Sequence, residues 1–218
     1  MSCLPWCGTE EESRMNALTE QEVKAGYRLL FDGRSLEGWA ATRHPEGWLV
    51  QDGHLVCKGV TGGYLFTLEQ FDHFELRLEY QTAPGVNSGI FFRWTDLNDP
   101  VHTGLEMQIL DTYAKETMDK HSSGALYDLE APSSNAVRPA GEWNQVRIRC
   151  DQNLIRLELN GTVVVDADIN RWSVPGQNPD GTANKFKYAW KDRPRRGHIG
   201  LQDHGGYVEF RNISILPL

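Results

Sequence analysis

Apolar and polar residues alternate along much of this chain. In FELRLEYQT, residues 74–82, Phe74, Leu76, Leu78 and Tyr80 fall on one side and Glu75, Arg77 and Glu79 on the other. A period of two is the signature of a strand with one buried face. GIFFRW places Ile90, Phe92 and Trp94 inward and Phe91 and Arg93 outward. GLEMQILD places Leu105, Met107 and Ile109 inward and Glu106 and Gln108 outward. HIGLQDH places Ile199 and Leu201 inward and Gly200, Gln202 and His204 outward. HLVCK, QVRIRC, LIRLEL, TVVVDA and the closing YVEFRNISIL read as further strands.

Helical signals are confined to the start. Thr19 with Glu22 forms a capping box, and Gly26 can end the short helix that follows. Asn160-Gly161, between LIRLEL and TVVVDA, suits a two-residue type I′ hairpin turn. Strands separated by turn signals every ten or so residues predict two packed antiparallel sheets. The expected architecture is all-β, a two-sheet jelly-roll sandwich with one short N-terminal helix. Residues 1–17 are expected to form a mobile tail and residues 18–218 a single domain. Two long connections, about 112–139 and 170–196, interrupt the strand rhythm. Ordered loops of that length in a compact domain are often functional.

Parity then suggests a site. If the strands named above are neighbours in one sheet, its outer face carries Glu79, Arg93, Glu106, Gln108, Gln202 and His204. Glycines 89, 104 and 200 would let a ligand approach the backbone. Planar polar groups, an acid, a guanidinium and an imidazole are what sugar hydroxyls call for. The bland alternative is a solvated face with cross-strand pairs such as Arg93 with Glu106. Asp111 lies five residues beyond Glu106 and points to the opposite face unless a bulge intervenes. His121, near Tyr127 in the first long loop, is a weaker candidate.

Composition narrows the partners. The 218 residues carry a net charge of −8, which argues against nucleic acid and anionic membranes. The basic stretch KFKYAWKDRPRR, residues 185–196, is the local exception. The four cysteines, Cys3, Cys7, Cys57 and Cys150, form neither a disulfide framework nor a zinc pattern. MSCLPWCGTEEESR lacks a basic segment followed by an apolar one, so the expectation is a cytoplasmic protein without a leader.

Nine motifs occur in order: LLFDGRSLEGW, NSGIFFR, GLEMQILD, SGALYD followed by AP, GEWNQVRI, the LNG hairpin, NPDGTANKF, PRRGHIGLQDHG and VEFRNISI. Together, over about residues 28–218, the chain resembles the 3-keto-disaccharide hydrolase domain family. That family's fold is similar to the concanavalin-A-like lectins and glucanases. The resemblance implies cleavage of a sugar already oxidised at C3 by a separate sugar 3-dehydrogenase. The ketone acidifies the C2 proton, a base removes it, and the C1 group leaves; water can then add back. Such a site needs a base, an electrophile for the C3 oxygen and a proton donor.

On this reading His204 or Glu106 is the base and Arg93 clamps the oxyanion or a hydroxyl. Gln108 and Gln202 orient hydroxyls, with Glu79 on the same face. Tyr127 donates the proton, and Asn184 and Lys185 close over the sugar. No cofactor is implied with certainty, but a divalent metal held by Glu106 and His204 is left open. Where the retaining glucanases place Glu, Asp and Glu along one strand, this chain has Glu106, Gln108 and Asp111, which weakens a two-carboxylate mechanism. A non-catalytic carbohydrate-binding module and a conventional glycosidase remain as alternatives.

Overall fold

The structure, a computed structural model, describes residues 15–60 and 62–218. Thr19 caps helix α1, Glu20–Ala25, through the reciprocal bonds of a capping box, and Gly26 ends it in the left-handed region at φ 98°. Almost everything after it is strand: β1 Arg28–Leu29, β2 Trp39–Ala41, β3 Trp48–Gln51, β4 His54–Cys57, β5 Gly63–Phe71, β6 Phe74–Thr82 and β7 Asn87–Trp94. A one-turn helix, α2 Pro100–Thr103, precedes β8 Leu105–Leu110. Then come β9 Asn144–Asp151, β10 Leu154–Leu159, β11 Thr162–Asp168, β12 Gly197–Asp203 and β13 Val208–Pro217.

The strands form two antiparallel sheets. The larger runs β11-β10-β9-β6-β13-β4-β3, with β1 also pairing to β13, and the smaller runs β2-β5-β12-β7-β8. Phe74, Leu76, Leu78 and Tyr80 of the large sheet meet Ile90, Phe92, Leu105, Met107, Ile109, Ile199 and Leu201 of the small one in a single buried cluster. Each such side chain contributes roughly 1.5–3 kcal/mol of burial. The strands at the middle of both sheets, β12 and β13, come from the last quarter of the chain, so neither sheet closes until the C-terminus is in place. The Asn160-Gly161 turn has φ 50° and 80°, the positive pair that type I′ requires.

Several expectations change here. The expected tail falls outside the described residues as far as residue 14, but Asn16 does not belong to a tail. It is buried, exchanges two hydrogen bonds with Asn212 and donates a third to the Gly53 carbonyl. β6 lies in the large sheet, so Glu79 is not on the face that carries Glu106. Glu79 instead accepts a 2.7 Å bond from Arg211. Among the described residues, no helix is long and apolar enough to cross a membrane.

Candidate functional site

The register of the small sheet determines which side chains stand together. Ala40, Phe66, Gly200, Phe91 and Glu106 form one rung across β2, β5, β12, β7 and β8. On the next rung Tyr64 pairs with Gln202 and Gly89 with Gln108. Cross-strand partners share a face, so these residues line the outer surface of the sheet. The first long loop extends it. Residues 124–127 run beside β8 as an added edge: Gln108 N–H donates to Ala125, Gly124 N–H to Gln108 and Tyr127 N–H to Glu106. Tyr127 therefore stands opposite Glu106.

Two glycines shape this face. A Cβ at Gly89 would collide with Glu106 Oε1, so the missing side chain is the seat of the carboxyl. At Gly200 a Cβ would press on the Trp94 ring at 3.0 Å. Trp94, Phe91 and Phe66 form a second buried cluster beneath Tyr64, whose ring meets Phe91 at 5.0 Å and Trp94 at 5.1 Å between centroids. These three are a foundation, too buried to meet a ligand. Tyr64 and Tyr127, both half-buried, are the rings left available.

Glu106 is half-buried as a residue, and the enclosed end is its carboxyl. Burial disfavours the charged form and pushes its pKa up to about 8, against a smaller pull downward from Lys185. The Lys185 ammonium lies 3.9 Å from the Tyr127 ring centroid. The residue as a whole is exposed, yet desolvation of the ammonium lowers its pKa, opposed by Glu106 and Asp128. Burial also raises Tyr127 and Tyr64, each with help from the Glu106 charge.

Asp128 is what brings Lys185 here. It is buried at φ 59° in the first long loop and accepts a 2.7 Å bond from the Lys185 backbone in the second. His121 Nε2 stands 3.1 Å from its other oxygen, and the His121 ring packs on Tyr127 at 4.9 Å. One left-handed aspartate thus ties both long loops over the sheet.

Glu106, Gln108, Gln202, Tyr127 and Lys185 are brought together; the other four expected residues are not, Glu79 because it belongs to the large sheet. Arg93 adopts φ 51° at an irregularity where β12 and β7 shift register. That kink exchanges its direction with that of Trp94. Arg93 is turned inward, 2% exposed, with its guanidinium on the Asp72 carbonyl at 3.2 Å, and Trp94 takes the outer face. It cannot clamp a ligand beside Glu106.

His204 lies beyond β12 in an exposed bend. Its rung is four residues along from that of Glu106, roughly 13 Å at strand rise. The two do not meet, as a shared base or a shared metal site would require. Among the described residues, no three His, Cys, Asp or Glu side chains gather as metal ligands would, so the open metal reading finds no donor set. Asn184 is used within its own loop, donating to Asn178 Oδ1 at 3.0 Å and accepting from Phe186 N–H. Asp111 accepts a 2.8 Å bond from Gly85 N–H at the neighbouring turn, away from Glu106.

The 3-keto-alpha-glucoside-1,2-lyase-like domain matches residues 26–216. The chain belongs to this family. It is thereby a carbohydrate-active, glycoside-cleaving enzyme. A 3-keto-disaccharide hydrolase of Bacteroides thetaiotaomicron is 28% identical, over 88% of this chain and 79% of that protein. A candidate glycosyl hydrolase of Parabacteroides distasonis superposes with a TM-score of 0.80 at 32% identity, covering 88% of this chain and 99% of that one. The carbohydrate-binding module CBM66 of Bacillus subtilis, at 11% identity and a TM-score of 0.53 over 81% of this chain and 94% of that one, shares the fold.

Within this member of the family, the residues that parity missed are Tyr64 and Asp128. Tyr64 was legible in principle: GYLFTLEQF alternates Tyr64 and Phe66 against Leu65 and Thr67. Asp128 carried no sequence signal, because its role depends on two loops meeting.

Proposed function

We propose that this enzyme cleaves the glycosidic bond of a 3-keto-glycoside or 3-keto-disaccharide by removing the C2 proton and eliminating the C1 group. The observation that carries this reading is the Glu106 carboxyl, desolvated over Gly89 and flanked by Lys185 and Tyr127. In its ionised form such a carboxylate is a stronger base than an ordinary one. It takes the C2 proton as the C2–H electrons form an enolate with the C3 oxygen. Lys185 is the cation that favours charge on that oxygen. The C1–O bond then breaks, and the departing oxygen takes a proton from the Tyr127 hydroxyl. Water added across C1 and C2 completes a net hydrolysis. Tyr64 and Gln202, joined by a 3.4 Å contact, form the wall against which the sugar ring is held.

The substrate's ketone has to be supplied by a separate oxidation at C3, the reaction class of a sugar 3-dehydrogenase. A two-carboxylate glycosidase is less well supported, since Asp111 is committed to Gly85 and Asp128 to the loops. The test is incubation with a 3-keto-disaccharide while free sugar is followed. Release is expected with the native protein and lost in Glu106→Gln. No consumption of any 3-keto-disaccharide, with or without added divalent metal, would sink the proposal. Turnover of an unoxidised glycoside would point to a conventional glycosidase instead.

A further inference from the structure

Gln108 faces the ligand side of the sheet by parity, but its burial removes it from the ligand. It is 3% exposed, beneath Glu106 and opposite Gly89. Its amide is surrounded by three oxygens: Asn87 Oδ1, the Ser88 carbonyl and Glu106 Oε1. In one orientation of the amide, Gln108 Nε2 donates to Asn87 Oδ1 at 3.1 Å, and the amide oxygen faces the other two. Turned by 180°, the nitrogen would donate to Glu106 Oε1 at 3.1 Å and to the Ser88 carbonyl at 3.2 Å.

The two orientations suit different states of Glu106. A neutral carboxyl has one O–H to donate; a carboxylate only accepts. With the amide oxygen toward Glu106, the contact is a hydrogen bond only if Glu106 carries the proton. With the amide nitrogen toward it, the contact is a hydrogen bond only if the facing oxygen can accept, as both oxygens of a carboxylate do. Burial brings the neutral form within reach at ordinary pH. An amide can serve both states by rotating; a carboxylate or an apolar side chain cannot.

We infer that Gln108 is a positioning residue for Glu106, turning its amide as Glu106 gains and loses its proton so that the carboxyl stays hydrogen-bonded and aimed throughout the cycle. Asn87 turns in step and offers its own N–H to the Gln108 oxygen. This role rests on Glu106 being the base of the proposed reaction. The proton count is simple: Glu106 gains the C2 proton in one step and loses it before the next turnover. The other titratable groups facing Glu106 are Lys185 and Tyr127 from the long loops and Tyr64 from β5, with Asp128 behind Lys185. Among the described residues none of these hydrogen-bonds the carboxyl.

The test uses Gln108→Glu and Gln108→Met in the full chain. Carbon-13 NMR of the side-chain carboxyls, assigned with Glu106→Gln, follows the titration of Glu106 without substrate. In Gln108→Glu a second carboxylate replaces the amide, and the Glu106 titration is expected to rise by about one unit or more. The acid limb of the pH profile for a 3-keto-disaccharide should rise with it. Gln108→Met keeps the shape but neither hydrogen bond, so kcat should fall roughly tenfold with KM little changed. A Glu106 titration unmoved in Gln108→Glu would overturn the inference. So would a Gln108→Met enzyme that keeps its kcat and loses KM, the mark of a substrate contact. Because the NMR arm needs no substrate, it decides on Gln108 even if the keto-sugar reading fails.

Discussion

Glu75 and Glu106 both sit on outer sheet faces, one on each sheet, and their surroundings push them in opposite directions. On the large sheet Glu75 is buried, which alone would raise its pKa. The Tyr27 hydroxyl and the Arg77 guanidinium donate to it, Arg147 and Arg149 stand near, and the pKa ends below the usual range. On the small sheet Glu106 has one partly desolvated ammonium near it, and burial wins. A charged face whose members satisfy one another is part of the scaffold. A desolvated carboxyl beside an open face is a candidate for chemistry.

The comparison can be broken at its strongest point first. Glu106→Gln is expected to lower kcat on a 3-keto-disaccharide by about 10²–10⁴-fold, with a stable fold; steady-state kinetics and thermal unfolding check both halves. Glu75→Gln should do the reverse. Leaving Arg77, Arg147 and Arg149 short of a carboxylate costs about 2–3 kcal/mol, a Tm drop of roughly 5–10 °C, with kcat per folded molecule unchanged. Lys185→Met removes the only cation pulling the Glu106 pKa down among its resolved causes. Its acid limb should then move above about 8 and kcat fall roughly 10–100-fold, read from the pH profile.

Stability against pH sharpens the contrast further. Folded Glu106 holds its proton up to about 8, whereas the unfolded chain releases it near 4.5. The folded state thus binds more protons between these values, and Glu106 erodes stability as pH rises through that window, by at most about 1.4 kcal/mol per pH unit. Glu75, with its lowered pKa, works the other way: it contributes stability above the unfolded carboxylate value and loses it as pH falls. Unfolding of the native protein and of Glu106→Gln at pH 5 and pH 9 should show the gap between them closing on the acid side. The smallest effect belongs to Arg156→Ala. Its ion pair with Asp166 is half-exposed on both sides, and its loss should change stability by less than about 0.5 kcal/mol.

Much of the fold was legible because its signals are local. The capping box at Thr19, the Asn160-Gly161 turn and the alternation in 74–82 and 105–110 each depend on a few adjacent residues. Parity also placed Glu106, Gln108 and Gln202 on one face, because their strands run unbroken through those positions. It failed at Arg93 for the same reason in reverse. A single residue at φ 51° exchanges the two faces, and nothing in the neighbouring sequence announces it. Glu79 was misplaced because alternation says which residues share a face of a strand and nothing about which sheet the strand joins. His204 was misplaced because its strand ends one residue earlier.

By itself, then, the chain determined its strands, its turns, its all-β class and its family likeness, all carried by patterns a few residues long. The tertiary structure decided which carboxyl is desolvated, which arginine is turned inward and which loop residue brings Lys185 to Glu106. Those depend on strands and loops far apart in the chain, held in one register by a core that forms only when the last strands are in place.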